Sequence, residues 1–324
     1  DREPRDSGGA VSERLRVGVL GGGSFGRGLA AAAARAENDV LLWSRSERAD
    51  LPAGVEGVLA CEPLRTCHVL FLAVPSTYLE GLSRDLGAFL DGSHALVHVS
   101  RGLVGDELGT VSQLLRRTTP CRQVGALAGP LVADALERGD PSGAIVGTRF
   151  PEVANLVRDG ITSQNLRLYE SSDIVGVEIA SALVGLFALA AGYGLELGVR
   201  PATLSVFLTR CLAEARRFMP TLGGQGDTLN GLAGVGDLLA VVAGDERPEV
   251  RLGRALAAGR NLDEAAREAG AHIEGVRIAR RLAAHAVRAD VEAPIARTIA
   301  QVVAGEVAGE AAAQALMARR AGRE

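Results

Sequence analysis

Hydrophobic positions along this chain follow two regimes. From residue 15 to about residue 172, short apolar runs of strand length alternate with segments whose apolar residues recur at helical spacing; beyond residue 172 only the helical spacing persists. RVGVL (16–20), DVLLW (39–43), HVLFLAV (68–74), HALVHV (94–99), QVGALA (123–128) and GAIVG (143–147) are rich in β-branched residues and leucine, which predicts six strands. LRLYE (166–170) reads as a seventh that closes this half. Helices are expected near 25–37, 77–90, 106–117 and 131–138. Strands that alternate with helices in this way build a parallel sheet covered on its faces.

The second half is expected to be all helical, with further helices near 201–218, 229–243, 249–258, 275–288, 294–303 and 306–320. It opens on an unusual segment, residues 174–191, which contains SALVGLFALAAG and is apolar almost all round. Such a helix is either buried on every side or spans a membrane. Glu178 and the many small residues favour burial, so no membrane span is expected, and SSD (171–173) supplies the capping chemistry at its start. The predicted organisation is a disordered tail over 1–14, an α/β domain over 15–172 and a helical domain over 173–324 that would handle substrate and dimerisation.

With 324 residues, two domains with a sizeable core each are expected. A formal charge of −4 gives no basic footprint for nucleic acid. Cys61, Cys67, Cys121 and Cys211 form no CxxC pair and no zinc pattern, so reduced structural thiols in a cytoplasmic protein are expected and no metal site is. The chain contains no lysine, so all 35 basic residues are arginines. Chemistry that needs a side-chain amine as acid, base or Schiff-base former is thereby excluded.

RVGVLGGGSFGRG places Gly21, Gly23 and Gly26 as GxGxxG between the first strand and the first helix. The first glycine permits the turn, the second lets backbone approach a pyrophosphate, and the third lets helix pack on strand. In an alternating β/α half this points to a Rossmann-like, dinucleotide-binding domain. The second strand ends in LLWSR, with Ser44 and Arg45 where an acid would mark NAD and Arg48 behind them. An arginine there suits a 2′-phosphate, so NADP(H) is favoured over NAD(H).

GGGSFG (21–26), LLWSR (41–45), AVPS (73–76), SRG (100–102), AGP (128–130), DIVGVE (173–178), LTRCLAE (208–214), GLAGVGDL (231–238) and EG (274–275) follow one another over residues 16–316. In order and spacing they resemble the bacterial NAD(P)-dependent glycerol-3-phosphate dehydrogenases. The resemblance implies a Rossmann domain followed by a helical substrate domain. It also implies cofactor contacts from Gly21, Gly23, Ser24, Phe25, Gly26, Arg45, Pro75, Arg101, Ala133 and Glu274.

The family's substrate-handling residues do not all carry over. Arg101 stands where the family has a lysine before glycine, and Val184 and Gly185 stand where it has a catalytic Lys-Asn pair. Leu131, Val241, Pro248 and Glu249 occupy further substrate positions, while Asp237 remains. In the family the missing lysine is thought to protonate the developing alkoxide. Arg101, Asp237, Ser181 and His98 are therefore the candidate catalytic residues, and Gly129, Asp237, Arg247 and Arg251 the candidate substrate contacts. Pro248 and Glu249 also suit the first turn of a helix.

The expected function is NAD(P)H-dependent hydride transfer to a small carbonyl substrate other than dihydroxyacetone phosphate, or one that accepts it only poorly. Two alternatives stand beside it: a catalytically lapsed dinucleotide-binding paralogue acting as a sensor or partner protein, and a true glycerol-3-phosphate dehydrogenase with compensating arginines. A homodimer is expected from the Ala-rich helices.

Overall fold

Eight strands form one sheet in the order β3-β2-β1-β4-β5-β6-β7-β8. They are β1 (Arg16–Leu20), β2 (Asp39–Trp43), β3 (Val55–Val58), β4 (Val69–Leu72), β5 (Ala95–His98), β6 (Val124–Ala128), β7 (Ser142–Thr148) and β8 (Leu166–Ser171). The structure is a computed structural model that describes residues 14–242, 247–270 and 274–318. Apart from Arg14, the tail expected over 1–14 lies outside the described residues.

Neighbouring strands run parallel except β6 and β7, which pair antiparallel, Ala126 opposite Gly147. The sheet is thus mostly parallel, as the alternation predicts, with one antiparallel pair: β7 returns along β6 through the short helix α4 (Ala133–Arg138), without a full crossover. The added edge strand β3 is only four residues long, VEGV, with two exposed positions, too short and polar to announce itself. Helices α1 (Ser24–Arg35), α2 (Ser76–Gly87), α3 (Val111–Thr118) and α5 (Pro151–Ile161) complete this half. The order reverses between β1 and β4, so their carboxyl ends form the crevice where such sheets take ligands.

The helical half comprises α6 (Ile174–Glu196), α7 (Pro201–Thr221), α8 (Asp237–Val242), α9 (Pro248–Ala257), α10 (Leu262–Ala269), α11 (Glu274–Arg288), α12 (Pro294–Val303) and α13 (Gly309–Met317). The single helix expected near 229–243 is instead a 3-10 turn (Gly226–Asn230), a π turn (Leu232–Gly236) and α8.

α6 is long and apolar enough to cross a membrane by composition, but 89% of its most apolar window is buried inside the protein. Asp173 caps it by accepting from the Gly176 N–H, 2.9 Å. One hydrophobic cluster runs from Leu70, Leu72, Leu96 and Ala126 of the sheet through α6 to Ile278 and Leu282 of α11. This cluster spans both halves because α6 is apolar almost all round and packs on both. A second cluster under α1 and α5 covers the other face of the sheet.

α6 and α9 meet backbone to backbone. A Cβ on Gly192 would come within 2.1 Å of the Val250 carbonyl oxygen, and one on Gly253 within 2.0 Å of the Leu189 carbonyl oxygen. At the far side, buried Glu214 of α7 accepts from the N–H groups of Ile295 and Ala296 at the start of α12, 2.9 and 2.7 Å. Burial pushes the Glu214 carboxyl above its ordinary value, more than these donors and the nearby Arg217 and Arg297 hold it down.

Two outcomes follow for equilibrium unfolding in urea. Gly253→Ala should lose about 1–3 kcal/mol, because backbone has to shift to make room. Gly81→Ala, inside α2 with nothing within 4 Å of the added Cβ, should lose nothing. For Glu214 the native state holds its proton more tightly than the unfolded chain, so this group's share of stability should decline as pH rises from the unfolded carboxyl value through the higher native one. Glu214→Gln should remove that slope, and an unchanged slope would show that another group sets it.

Candidate active site

The glycine-rich turn takes its shape from two close approaches. Gly21 has φ +126°, and a Cβ there would lie 2.3 Å from the Ala73 carbonyl oxygen at the end of β4. A Cβ on Gly26 would lie 1.8 Å from the carbonyl oxygen of Gly21. At Gly23, by contrast, a Cβ would meet nothing within 4 Å, and Gly23 caps α1 without any side-chain hydrogen bond. Ser24 and Phe25 begin α1, so the turn offers an open cradle and unclaimed helix N–H groups, which fits a pyrophosphate. Across α1, a Cβ on Gly28 would strike the Ala133 carbonyl oxygen at 2.7 Å, which fixes Ala133 against the same helix.

After β2 the two arginines diverge. The Arg45 guanidinium sits 5.4 Å from the ring centre of exposed Tyr78 on α2. Arg48 reaches back over the glycine turn, where a Cβ on Gly22 would lie 3.1 Å from its Nε. Nothing in the sequence links Tyr78 to residue 45.

Three segments meet at the other end of the crevice. Pro75 caps α2, Glu274 at the start of α11 accepts from the Ser76 N–H, and a Cβ on Gly102 would strike Ser76 Oγ at 2.1 Å. The SRG segment after β5 is thus seated on α2, and Ser100 Oγ donates to the Val74 carbonyl, 2.8 Å. A groove of about 200 Å³ opens beside them, lined by Thr77, Val104 and Arg277 among others.

Arg101 leaves this segment toward the helical half. Its Nη1 lies 3.0 Å from Asp237 Oδ2 and its Nη2 donates to Oδ1 at 3.4 Å, and Arg247 also pairs with Asp237 Oδ1. Asp237 is fully buried and Arg247 nearly so, whereas the Arg101 side chain keeps 22% of its surface exposed. The π turn, closed by the Gly236 N–H donating to the Gly231 carbonyl at 3.1 Å, ends where Asp237 starts α8. Gly129, at φ +117°, lies beside that turn: a Cβ on it would be 3.5 Å from Leu232 Cβ.

Arg101, Asp237 and Arg247 are therefore brought together. Arg251 is turned elsewhere, its Nε and Nη2 donating to the Ala269 carbonyl at the end of α10, 3.2 and 2.9 Å. Ser181 is buried on α6, as are Val184 and Gly185. His98 is 1% exposed with Nε2 2.8 Å from Glu178 Oε1, and Glu178 also accepts from the backbone N–H and hydroxyl of Ser112 at the start of α3. This pins α6 to the sheet and to α3. The signal for it in the sequence was the lone acid at 178 in an apolar run, without any indication of its partner.

Other chemistry is poorly served. Burial raises the thiol of Cys61 to about 11 and that of Cys67 to about 12, so both stay protonated at neutral pH. Among the described residues no group of His, Cys, Asp and Glu could hold a metal ion.

Two family models match. The NAD-dependent glycerol-3-phosphate dehydrogenase N-terminus covers residues 47–154, and the C-terminus of the same family covers residues 173–314. The glycerol-3-phosphate dehydrogenase (NAD(P)+) of Alkalilimnicola ehrlichii is 34% identical over 295 residues, covering 85% of this chain and 89% of that protein. The enzyme of the same name from Acinetobacter baylyi is 29% identical over 295 residues, 86% of this chain and 82% of its own. Among solved structures, the glycerol-3-phosphate dehydrogenase of Coxiella burnetii superposes with a TM-score of 0.87 at 22% identity, covering 94% of this chain and 99% of its own. The chain belongs to the NAD-dependent glycerol-3-phosphate dehydrogenase family.

Asp237→Ala would take a buried carboxylate away from Arg101 and Arg247, the latter nearly buried itself, and should cost about 3–5 kcal/mol in denaturant unfolding. A loss below about 1 kcal/mol would show that the ion cluster does not tie the site together.

Proposed function

We propose that this protein is an NAD(P)H-dependent oxidoreductase that reduces a small carbonyl compound and handles dihydroxyacetone phosphate poorly or not at all. The observation that carries this reading is the composition of the corner around α6. Val184 and Gly185 fill the places where the family resemblance expects a Lys-Asn pair, and Pro248 and Glu249 begin α9 where it expects an Arg-Asn pair. An isopropyl group cannot donate a proton, and a carboxylate repels a phosphate.

The bound cofactor would supply hydride to the carbonyl carbon. The open turn at Gly23, with Ser24 and Phe25 at the start of α1, would hold its pyrophosphate, and Pro75, Ala133 and Glu274 would line its path. Arg45 and Arg48 would receive a 2′-phosphate, which favours NADPH.

Arg101 would bind the carbonyl oxygen and stabilise the charge that develops there, held in place by Asp237 and Arg247. A guanidinium is a poor proton donor, so the proton would come from solvent water, either directly or relayed by the Ser181 hydroxyl, which would pass one proton to the oxygen and regain one from water. His98, bonded to Glu178, would act by positioning α6.

Oxidation of NADPH, followed by its absorbance against a panel of small carbonyl compounds, tests the proposal. The expected result is turnover of an unphosphorylated carbonyl, with kcat/KM on dihydroxyacetone phosphate about 10² to 10⁴ below that of the Alkalilimnicola enzyme. Equal rates on dihydroxyacetone phosphate would contradict it, and tight NADPH binding with no turnover of any carbonyl would point instead to a lapsed enzyme. Arg45→Ala should raise the KM for NADPH about tenfold and leave that for NADH nearly unchanged.

A further inference from the structure

Among the buried residues of α6 only Glu178 and Ser181 carry polar side chains. The Glu178 carboxylate is enclosed: Oε1 accepts from the Ser112 N–H at 2.7 Å and faces His98 Nε2 at 2.8 Å, and Oε2 accepts from the Ser112 hydroxyl at 2.6 Å. Ser112 lies in the first turn of α3, where the helix dipole favours an acid. The other ring nitrogen of His98, Nδ1, has no hydrogen-bond partner among the described residues. Glu178 is thus the one polar tie of this ring.

Glu178, Ser181 and Gly185 follow at spacings of three and four, so they share one side of α6. Both ends of this stripe are placed: Glu178 is on His98, and a Cβ built on Gly185 would lie 4.0 Å from Cβ and Cδ of Arg101. The lengths agree, since the helix rises about 10 Å between Glu178 and Gly185 and the chain from His98 to Arg101 reaches at most about that far. The stripe therefore runs alongside the segment that leads from β5 to Arg101. Ser181 sits between the two ends, buried, without the backward bond to a carbonyl that Ser205 and Thr209 make in α7.

Apolar packing has no direction, and the contacts at Gly192 and Gly253 seat α6 on α9, within its own half. Among the described residues, the hydrogen bonds of Glu178 are the only ones by which a side chain of α6 reaches the sheet half. We propose that Glu178 is a positioning residue for the reaction: through His98 and Ser112 it sets how α6 lies along the segment ending in Arg101, and so where Ser181 stands relative to the substrate oxygen. This rests on the oxidoreductase reading above and adds the residue that holds its parts in register. Glu178 itself takes no part in proton or hydride transfer.

The test measures kcat and the KM for NADPH on the best carbonyl of the panel, for the unmodified chain, Glu178→Ala, Glu178→Gln and His98→Leu, each well below its thermal unfolding. Glu178→Ala and His98→Leu should each lower kcat about 10²-fold, the loss expected of a misplacement of about 1 Å, and change the KM for NADPH by less than about twofold. Glutamine keeps an oxygen for His98 and the Ser112 N–H and turns its amide to the Ser112 hydroxyl, so Glu178→Gln should return kcat to within about threefold of the unmodified chain.

An unchanged kcat in Glu178→Ala and His98→Leu, no recovery in Glu178→Gln, or a KM for NADPH that rises as far as kcat falls would overturn the proposal. Should Glu178→Ala not fold, His98→Leu decides with the same expected loss. Crystal structures of the unmodified chain and His98→Leu give a readout without turnover, in which Ser181 should move about 1 Å relative to Arg101. That shift, with no carbonyl turned over by the unmodified chain, means that the oxidoreductase reading fails and the role of Glu178 stands. Turnover with Ser181 unmoved means the reverse.

Discussion

A buried carboxylate held between two arginines is the interaction on which the rest of this molecule depends. Asp237 has no exposed surface, and it is met by Arg101 from the end of the sheet and by Arg247 from the start of α9. A lone ionised carboxylate in such a place would be strongly unfavourable, so the fold has to bring both guanidiniums to it. That requirement fixes how the sheet half and the helical half face each other at the point where a cofactor and a substrate would meet.

The packing around the cluster serves the same end. α6 is apolar on all sides because it is the shared wall of both halves, and its glycines let α9 approach at backbone distance. Glu178 ties it to His98 and to the first turn of α3. The π turn before Asp237 and the tight seating of Gly102 on Ser76 position the segments that carry Asp237 and Arg101. Rigid elements of this kind hold charged groups more accurately than loops do.

Most of the strands were legible because their apolar runs are continuous and bounded by turn formers. β3 was not, being a four-residue edge strand with exposed positions, and α10 was not, because LDEAAREA buries only small alanines. α5 carries a helical period at Val153, Val157 and Ile161, but only within eleven residues. At the site, the glycine turn was readable from its spacing between strand and helix, whereas Arg101, Asp237 and Glu274 were singled out only through the family resemblance. The partners of His98 and Tyr78 were not, because those contacts span 80 and 33 residues of sequence. Glu249 suits a helix start by sequence and occupies one. That its Oε1 comes within 4.0 Å of a Cβ built on Gly185 depends on how α9 lies across α6 and leaves no local trace.

The central claim is that the corner where Arg101 meets Asp237, beside a helix that offers no amine, is where the carbonyl would be reduced. A crystal structure with NADPH bound tests it most directly. The account requires the nicotinamide ring to face the space beside Gly185, with Arg101 still on Asp237. A ring directed away from that space, or Arg247 or another guanidinium swung in to fill it, would contradict the account.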